Sequence, residues 1–331
     1  MKVLNGIGAA LLVLAVTVGV WIYTSPMPGV YYLRYGVGDG EVSYPSEEVK
    51  RECMESVEVM TDLTYMSEDE NNTYDLYLPK QREGKLPVIF WVHGGAFVAG
   101  DNAGVANWAY MLAREGAAVV TVDYQWVPDI TYPGQTRQVE ECILEVMGQA
   151  EELQLDTDRV VLAGDSAGAH LAAQCALLAT NPEYEEVLGI ESVLDTEDLK
   201  AVLLYCGPYD VSKMMGYDNK ILNYFVSTIG WSMFGKKDWQ QSEMLKTTAI
   251  VDYLTEDFPP AFVTDGNTGS FEEHGKELAA ALDELGITNH TLFFNKDEKE
   301  VGHVYEAALK TEEAMKCFNE TMDFLRELEV M

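Results

Sequence analysis

Short apolar segments alternate with amphipathic segments along most of the chain. The runs at 86–92 (LPVIFWV) and 117–124 (AAVVTVDY) are almost continuously apolar, which is typical of strands buried on both faces of a sheet. Shorter patterns predict further strands at 74–78, 159–163, 200–206, 261–264 and 291–295, and helices at 46–60, 108–115, 135–153, 167–179, 272–285 and 311–328. Because strands that alternate with helices form right-handed βαβ units, we predict an α/β protein with a mainly parallel central sheet flanked by helices.

One long interval, 211–258, breaks this alternation. It contains no clear strand but holds large apolar residues such as Tyr224, Trp231 and Phe234. Long insertions between the strands of a compact domain are usually functional, so we predict a lid over the site at this position. The alternative is that these aromatic side chains form only the small core of the insertion itself.

The N-terminus carries an apolar run, from 7 to 23, which is preceded by Lys2. With Val3 and Leu4 the apolar segment approaches the ~20 residues that span a bilayer. A cleaved signal peptide and an uncleaved anchor are both compatible with such a run. No Ala-x-Ala site follows, and Trp21 and Tyr23 stand where interfacial aromatic residues are found. We therefore predict a single-pass anchor in the cell membrane with the rest of the chain outside the cytoplasm; secretion after cleavage is the alternative.

The predicted segments divide the chain into three parts. Residues 1–24 form the anchor or signal segment, and residues 25–72, rich in Pro, Gly and Tyr at their start, form a linker and cap region. Residues 73–331 form the α/β domain, which includes the insertion at 211–258.

Charge and cysteine content exclude several function classes. The 55 acidic and 22 basic residues give a formal charge of −33, whereas a nucleic-acid-binding protein needs a basic surface. The five cysteines show neither a CxxC pair nor metal-ligand spacing. We predict no nucleic-acid partner and no metal site.

The strongest chemical signal is the segment 164–168 (GDSAG), which lies between a predicted strand and a predicted helix. The G-x-S-x-G pattern in this context is a nucleophile elbow, a sharp strained turn that exposes the serine hydroxyl. Glycines are required because a side chain at either flanking position would collide with the neighbouring strand or helix. Ser166 is therefore the predicted nucleophile, and the N-terminus of the helix that follows favours developing negative charge.

A second signal, 93–97 (HGGAF), directly follows the strand at 86–92. A loop of this type supplies backbone N–H groups to an oxyanion hole, together with the residue after the nucleophile. We predict Gly94, Gly95 and Ala167 as the donors, and His93 as a residue that orients the loop.

The base and the acid are predicted from their positions after late strands. His303 lies in the loop after the last strand, from which it can reach a serine on the central elbow. The acid is expected between Ser166 and His303 in the chain. Asp265 ends the strand at 261–264 and is our choice, while Glu272 and Glu273 follow close behind at a helix start. A turn or helix-capping aspartate is the alternative interpretation of Asp265.

Together, HGGAF, GDSAG and the late GH-Y element resemble the hormone-sensitive-lipase-like branch of the α/β-hydrolases, which includes bacterial acetyl esterases. The resemblance runs from about 74 to 328. The segment VDYQWVPDITYP is similar to V-D-Y-R-L-A-P-E of that branch, with Gln125 in place of the arginine, and Pro259-Pro260 also matches. The usual Asp-Pro-Leu acid motif is replaced by Gly269-Ser270-Phe271, so a glycine occupies the usual acid position. The resemblance implies an α/β-hydrolase fold and a short-acyl carboxylesterase capped by N-terminal residues and the insertion.

The leading functional hypothesis is hydrolysis of a small-molecule ester through an acyl-enzyme, with Ser166, His303 and Asp265 as the triad. This chemistry needs neither a metal nor an organic cofactor. The first alternative is amide or peptide hydrolysis, as by a formamidase or exopeptidase. The second is a non-catalytic membrane-tethered binding protein, which the presence of serine, histidine and oxyanion glycines disfavours. The sequence leaves the oligomeric state open.

Overall fold

The computed structural model describes residues 2–36, 41–215 and 219–331, with eight strands in one sheet among them. The strands are β1 Val57–Thr64, β2 Thr73–Pro79, β3 Leu86–Val92, β4 Ala118–Val122, β5 Leu155–Asp165, β6 Leu199–Tyr205, β7 Ala261–Thr264 and β8 Asn289–Leu292. The helices are α1 Lys2–Thr24, α2 Met27–Tyr35, α3 Glu47–Ser56, α4 Ala106–Arg114, α5 Gly134–Gly148, α6 Ala150–Leu153, α7 Ala167–Thr180, α8 Pro182–Leu188, α9 Lys220–Phe234, α10 Glu272–Leu285 and α11 Glu312–Glu327.

The strand order is β1-β2-β4-β3-β5-β6-β7-β8. β1 pairs with β2 and β2 with β4 in antiparallel fashion, whereas every pairing from β4 through β8 is parallel. Every residue of β3 is buried, because helices cover both faces of the sheet. α5 and α7 pack on one face, and α4 and α11 on the other. The predicted α/β class with a mainly parallel sheet is confirmed.

The first strand was not predicted. The helix expected at 46–60 ends at Ser56, and β1 begins at the next residue and pairs with β2 from Val57 to Thr64. The sheet therefore begins inside the segment 25–72 that we predicted as linker and cap. Hydrogen bonds to the free edge of β2 outweigh the local helical pattern of this segment, because β propensity depends on the neighbouring strand.

Two other boundaries differ from the prediction. The helix expected at 135–153 is divided into α5 and α6, with a break at Gln149. The last strand, predicted at 291–295, lies at Asn289–Leu292, in register with β7. Pairing with β7 places Thr264 opposite Leu292, so the positions of the two strands depend on each other.

The N-terminal helices lie beside the insertion at 211–258. Gly29 of α2 closely approaches the Thr228 side chain of α9, and the Tyr32 and Phe225 rings stack with centroids 5.0 Å apart. In the described residues of the insertion, α9 and short 3₁₀ turns occur without a strand, as predicted. Met1, residues 37–40 of the linker and residues 216–218 of the insertion lie outside the described residues.

The predicted membrane segment folds as part of α1. Within the described part of the chain, no single helix combines the length and apolar character that a bilayer span requires. The pair Leu11–Thr24 and Met27–Tyr35 meets this requirement only jointly, with a bend of 93° between the two helices.

Candidate active site

Ser166 lies on the turn that joins β5 to α7. Its backbone angles are φ 52° and ψ −118°, a conformation that L residues rarely adopt and that functional sites often contain. A Cβ at Gly164 would collide with the Gly168 backbone, and a Cβ at Gly168 would collide with the Val92 carbonyl. The two glycines thus permit the close strand–helix packing that holds the serine at the carboxyl edge of the sheet.

His303 lies in the loop after β8 and reaches the elbow. Its Nε2 atom is 2.8 Å from Ser166 Oγ, and the Phe271 ring meets the imidazole edge-on at 5.4 Å. The surrounding protein lowers the pKa of His303 to about 4, because the charged ring would lose solvation there, although the residue keeps an accessible edge. The imidazole is therefore neutral at pH 7, with Nε2 able to accept the serine proton.

The other imidazole nitrogen contacts a residue that our sequence analysis did not predict as part of the site. His303 Nδ1 lies 2.7 Å from Ser270 Oγ, and the Ser270 hydroxyl also bonds to Asp265 Oδ1. The structure thus brings Asp265 to the site, as predicted, but joins it to His303 through Ser270. The only sequence signal was the replacement of the usual acid motif by Gly269-Ser270-Phe271.

Asp265 is fully buried at the end of β7. Burial raises the pKa of Asp265 to about 7, and the hydrogen bond from Ser270 opposes this shift. The carboxylate therefore changes charge near neutral pH, which distinguishes it from an exposed turn aspartate.

The two alternative acids face away from the imidazole. Glu272 and Glu273 at the start of α10 lie 3.2 and 3.1 Å from Lys276 Nζ, respectively. Among the described residues, the polar partners of His303 are Ser166 and Ser270, and neither glutamate contacts it. The geometry thus favours Asp265 over both glutamates.

Gly94 requires a correction to the predicted oxyanion hole. Its N–H donates to Asp165 Oδ2 at 3.1 Å, while the Trp91 indole N–H donates to Asp165 Oδ1 at 3.1 Å. The Gly94 N–H already has a buried acceptor, so it is not free to bind a substrate oxyanion. The acceptor lies 71 residues away in the chain, and the local glycine pattern carried no information about it.

Gly95 and Ala167, the other two predicted donors, have N–H groups without a protein acceptor within the described part of the chain. Gly95 has φ +123°, and a Cβ there would overlap the Ala99 carbonyl, so only glycine fits. Ala167 opens α7, where the first N–H groups of the helix lack intrahelical partners. These two N–H groups can stabilise negative charge on a carbonyl oxygen under attack by Ser166.

Three other histidines, His93, His170 and His290, have structural contacts. His93 Nδ1 lies 2.6 Å from the Gly94 carbonyl, and its ring stacks on Tyr124 at 4.4 Å, so His93 supports the loop as predicted. His170 is buried with Nδ1 2.8 Å from the Pro208 carbonyl, and His290 pairs with Glu320 at 3.0 Å.

Arg34 of α2 ties the N-terminal segment to the loop that follows Gly94 and Gly95. Its Nε donates to the Val98 carbonyl at 2.6 Å, and its Nη2 donates to the Val127 carbonyl at 3.0 Å. The guanidinium also lies 5.0 Å from the Trp126 ring centroid and 3.2 Å from Asp129. No local sequence pattern indicates this contact, because the two segments are 64 or more residues apart in the chain.

One group of potential metal ligands coincides with the site. In the described residues, the ligand atoms of Cys206, Asp265 and His303 lie within 4.8 Å of one another. Both imidazole nitrogens, however, contact serine hydroxyls, and Cys206 Sγ points to Glu306 Oε2 at 3.4 Å. The donor set fits serine activation better than metal coordination.

One protein family and several curated proteins are similar in sequence to this chain. The sequence profile of the BD-FAE family matches residues 74–282. A probable isoprenylcysteine alpha-carbonyl methylesterase from Oryza sativa subsp. japonica is 32% identical over 153 residues, which are 46% of this chain and 36% of that protein. Esterase LipQ from Mycobacterium tuberculosis is 26% identical over 231 residues, 68% of this chain and 53% of its own. The chain spans about a third of the length of the first of these curated relatives.

A solved structure shows the same fold over nearly the whole chain. Esterase B from Lactobacillus Rhamnosis superposes with a TM-score of 0.72 at 22% identity, covering 99% of this chain and 96% of that protein. The α/β-hydrolase fold and the resemblance to its hormone-sensitive-lipase-like branch are confirmed. Because the family profile covers more than half of the residues, the chain belongs to the BD-FAE family.

Proposed function

We propose that this protein is a serine carboxylesterase that hydrolyses small-molecule esters with short acyl groups. The observation that carries the proposal is the 2.8 Å contact between Ser166 Oγ and His303 Nε2 at a strained elbow, beside the N–H groups of Gly95 and Ala167. This is the arrangement that nucleophilic acyl transfer requires: a nucleophile, a base in reach of its proton, and donors for the oxyanion.

The reaction follows from these contacts. Ser166 Oγ attacks the ester carbonyl carbon while its proton passes to His303 Nε2. The N–H groups of Gly95 and Ala167 hold the carbonyl oxygen as it becomes negative. The tetrahedral intermediate collapses, the C–O bond to the alcohol breaks, and the alcohol leaves with the proton from Nε2. Water then attacks the acyl-enzyme by the same route, which releases the acid and restores the Ser166 hydroxyl.

The relatives support ester hydrolysis by name, and one structural neighbour supports short acyl groups. Esterase B from Lactobacillus Rhamnosis has been solved with a C4-C4 tributyrin phosphonate inhibitor. An amide or peptide substrate would use the same groups, so the choice between ester and amide is left to experiment.

We also propose that residues 1–24 attach the enzyme to the cell membrane, with the α/β domain on the extracytoplasmic side. A further proposal is that α2 and the insertion at 211–258 form a lid over the active site. The apolar side chains of α1 support attachment, since Leu11, Leu12 and Val13 are 60%, 66% and 65% exposed. The packing of α2 on α9 supports a joint lid.

The test is a series of p-nitrophenyl esters from acetate to palmitate, with the p-nitroanilide amides alongside. We expect the highest kcat/KM at short acyl lengths and little amide turnover. Ser166→Ala should lose on the order of 10⁶ in kcat if the triad acts as a unit, with an unchanged melting temperature. The control is Ser56→Ala, which changes an exposed serine at the end of α3. Near-normal esterase turnover by Ser166→Ala, or preference for the amides, would contradict the proposal.

A further inference from the structure

Ser270 occupies the place between histidine and acid where a triad ordinarily has a direct hydrogen bond. His303 Nδ1 is 2.7 Å from Ser270 Oγ, and the same hydroxyl bonds to Asp265 Oδ1. We infer that Ser270 is a positioning residue that connects His303 to Asp265, so that Ser166 is activated through a chain of four side chains. This inference rests on the proposed hydrolase function and deepens it.

The direction of each hydrogen bond follows from the chemistry of the groups. An ionised carboxylate only accepts, so the Ser270 O–H donates to Asp265. The lone pair on Ser270 Oγ is then the acceptor for the His303 Nδ1–H. A neutral imidazole with its proton on Nδ1 leaves Nε2 free to accept from Ser166. Ser270 therefore selects the tautomer that makes His303 a base toward the nucleophile.

The loop that carries Ser270 is fastened to the loop that carries His303. The Thr268 N–H donates to the Val301 carbonyl at 3.0 Å, and the Val301 N–H donates to Asn267 Oδ1 at 2.9 Å. Asn267 Nδ2 further donates to the Lys299 carbonyl at 2.9 Å. These bonds hold the two loops in one register, so the position of Ser270 between acid and base is built into the fold.

A second contact holds the imidazole from the side. The ring of Phe271, the residue after Ser270, meets the His303 ring edge-on at 5.4 Å. Phe271 thus packs beside the imidazole whose Nδ1 contacts Ser270. Asp265, fully buried behind Ser270, then acts on His303 through the hydroxyl.

The relay predicts how the variants combine. Ser270→Ala should lower kcat on the order of 10²- to 10³-fold with KM nearly unchanged, because the tautomer is no longer selected but the substrate contacts remain. Ser270→Thr, which retains the hydroxyl, should stay within about tenfold of wild type. Asp265→Asn should lower kcat strongly when it is the only substitution. Added to Ser270→Ala, it should lower kcat by less than about threefold further, because the effects of residues that act in one chain are not additive.

The rate of Ser166 labelling by a fluorophosphonate should follow the same order, since it reports activation of the nucleophile without an ester substrate. Labelling without ester turnover would refute the esterase proposal while the variants still test the relay. Absence of labelling in wild type would overturn the relay itself. Full activity of Ser270→Ala, or a full additional loss on adding Asp265→Asn, would show that the carboxylate acts on His303 directly. If Ser270→Ala has a lowered melting temperature, Ser270→Cys is the second variant, since its thiol forms weaker hydrogen bonds. Its labelling rate should lie between those of Ser270→Thr and Asp265→Asn. A wild-type labelling rate of Ser270→Cys would overturn the relay.

Discussion

Asp165 Oδ2 accepts the Gly94 N–H at 3.1 Å, so one carboxylate joins the oxyanion loop to the residue before the nucleophile. Its second oxygen accepts the Trp91 indole N–H at 3.1 Å. Burial raises the pKa of Asp165, and these two donors oppose the shift. Asp165, the variable residue between Gly164 and Ser166 in the G-x-S-x-G motif, therefore sets the distance between Ser166 and the loop that carries Gly95.

Asp165→Asn should lower kcat by about ten- to a hundredfold and lower the melting temperature, because the amide NH₂ would face a donor and leave buried groups unpaired. Steady-state kinetics and thermal unfolding test this. Asp158→Asn, at an exposed position on the same strand, is the control. A fully active, equally stable Asp165→Asn protein would show that the bridge has no such role.

Gly95→Ala should lose at least about a hundredfold in kcat, since a Cβ would meet the Ala99 carbonyl and displace the N–H that faces the oxyanion. Gly104→Ala is the matched control, because its Cβ would meet no atom within 4 Å. Gly95→Ala should remain folded but show a lowered kcat, measured with the p-nitrophenyl ester that the wild type hydrolyses fastest. Equal kcat values for the two alanine variants would remove Gly95 from the oxyanion hole.

A panel of three carboxyl variants tests the acid. Asp265→Asn should lose on the order of 10²- to 10³-fold in kcat, the same range as Ser270→Ala, because its carboxylate reaches His303 through Ser270. Glu272→Gln and Glu273→Gln should each stay within about tenfold, a barrier change of about 1.4 kcal/mol, because both face Lys276. If a glutamate variant loses activity while Asp265→Asn retains it, the triad runs through that glutamate.

The pH dependence should show the titration of Asp265. Its pKa is raised to about 7, so at lower pH the carboxyl is protonated and stabilises an imidazolium poorly. Since the pKa of His303 is lowered to about 4, His303 itself stays neutral over this range. We expect kcat/KM to rise as pH increases through about 7, and a second, further loss of activity to appear below about 4, where His303 becomes protonated. Cys206, Glu306 and Tyr209 also face Asp265. Of these, Cys206 contributes to the pKa of Asp265, through a hydrogen bond that opposes the rise caused by burial.

The matched measurement is the same profile for Asp265→Asn, which should lack the step near neutral pH. Persistence of that step in the variant would assign it to another group.

The stability of the fold should respond to pH in the opposite sense. Between the ordinary aspartate pKa and about 7, Asp265 of the native state holds a proton that the unfolded chain has released. The contribution of Asp265 to the free energy of unfolding therefore decreases as pH rises through this range.

The N-terminal segment should divide into a dispensable part and a required part. Removal of residues 1–24 should leave a soluble, active enzyme, whereas Arg34→Ala should reduce kcat/KM by about tenfold through loosening of the loop at Val98. Arg34→Lys should not restore activity, because an ammonium cannot match the planar guanidinium that binds two carbonyls. Arg51→Ala, at an exposed position on α3, is the control. An inactive but folded truncation would show that α1 shapes the site.

Local sequence patterns were sufficient to predict several features of this protein. The continuous apolar run of β3, the strand–turn–helix context of Ser166 and the loop position of His303 are each specified within a few residues, because burial and backbone sterics act locally there. The α/β class and the positions of most elements followed from the same periodicity.

Other features depend on residues that lie far apart in the chain and meet only in the folded protein. β1 forms because the edge of β2 is available, and Gly94 is lost to the oxyanion hole because Asp165 lies within reach. Ser270 stands between Asp265 and His303 because β7 and β8 pair and bring two loops together across more than 30 residues. A single sequence records which groups are present, but their mutual distances, and therefore their hydrogen bonds, arise only when the sheet assembles.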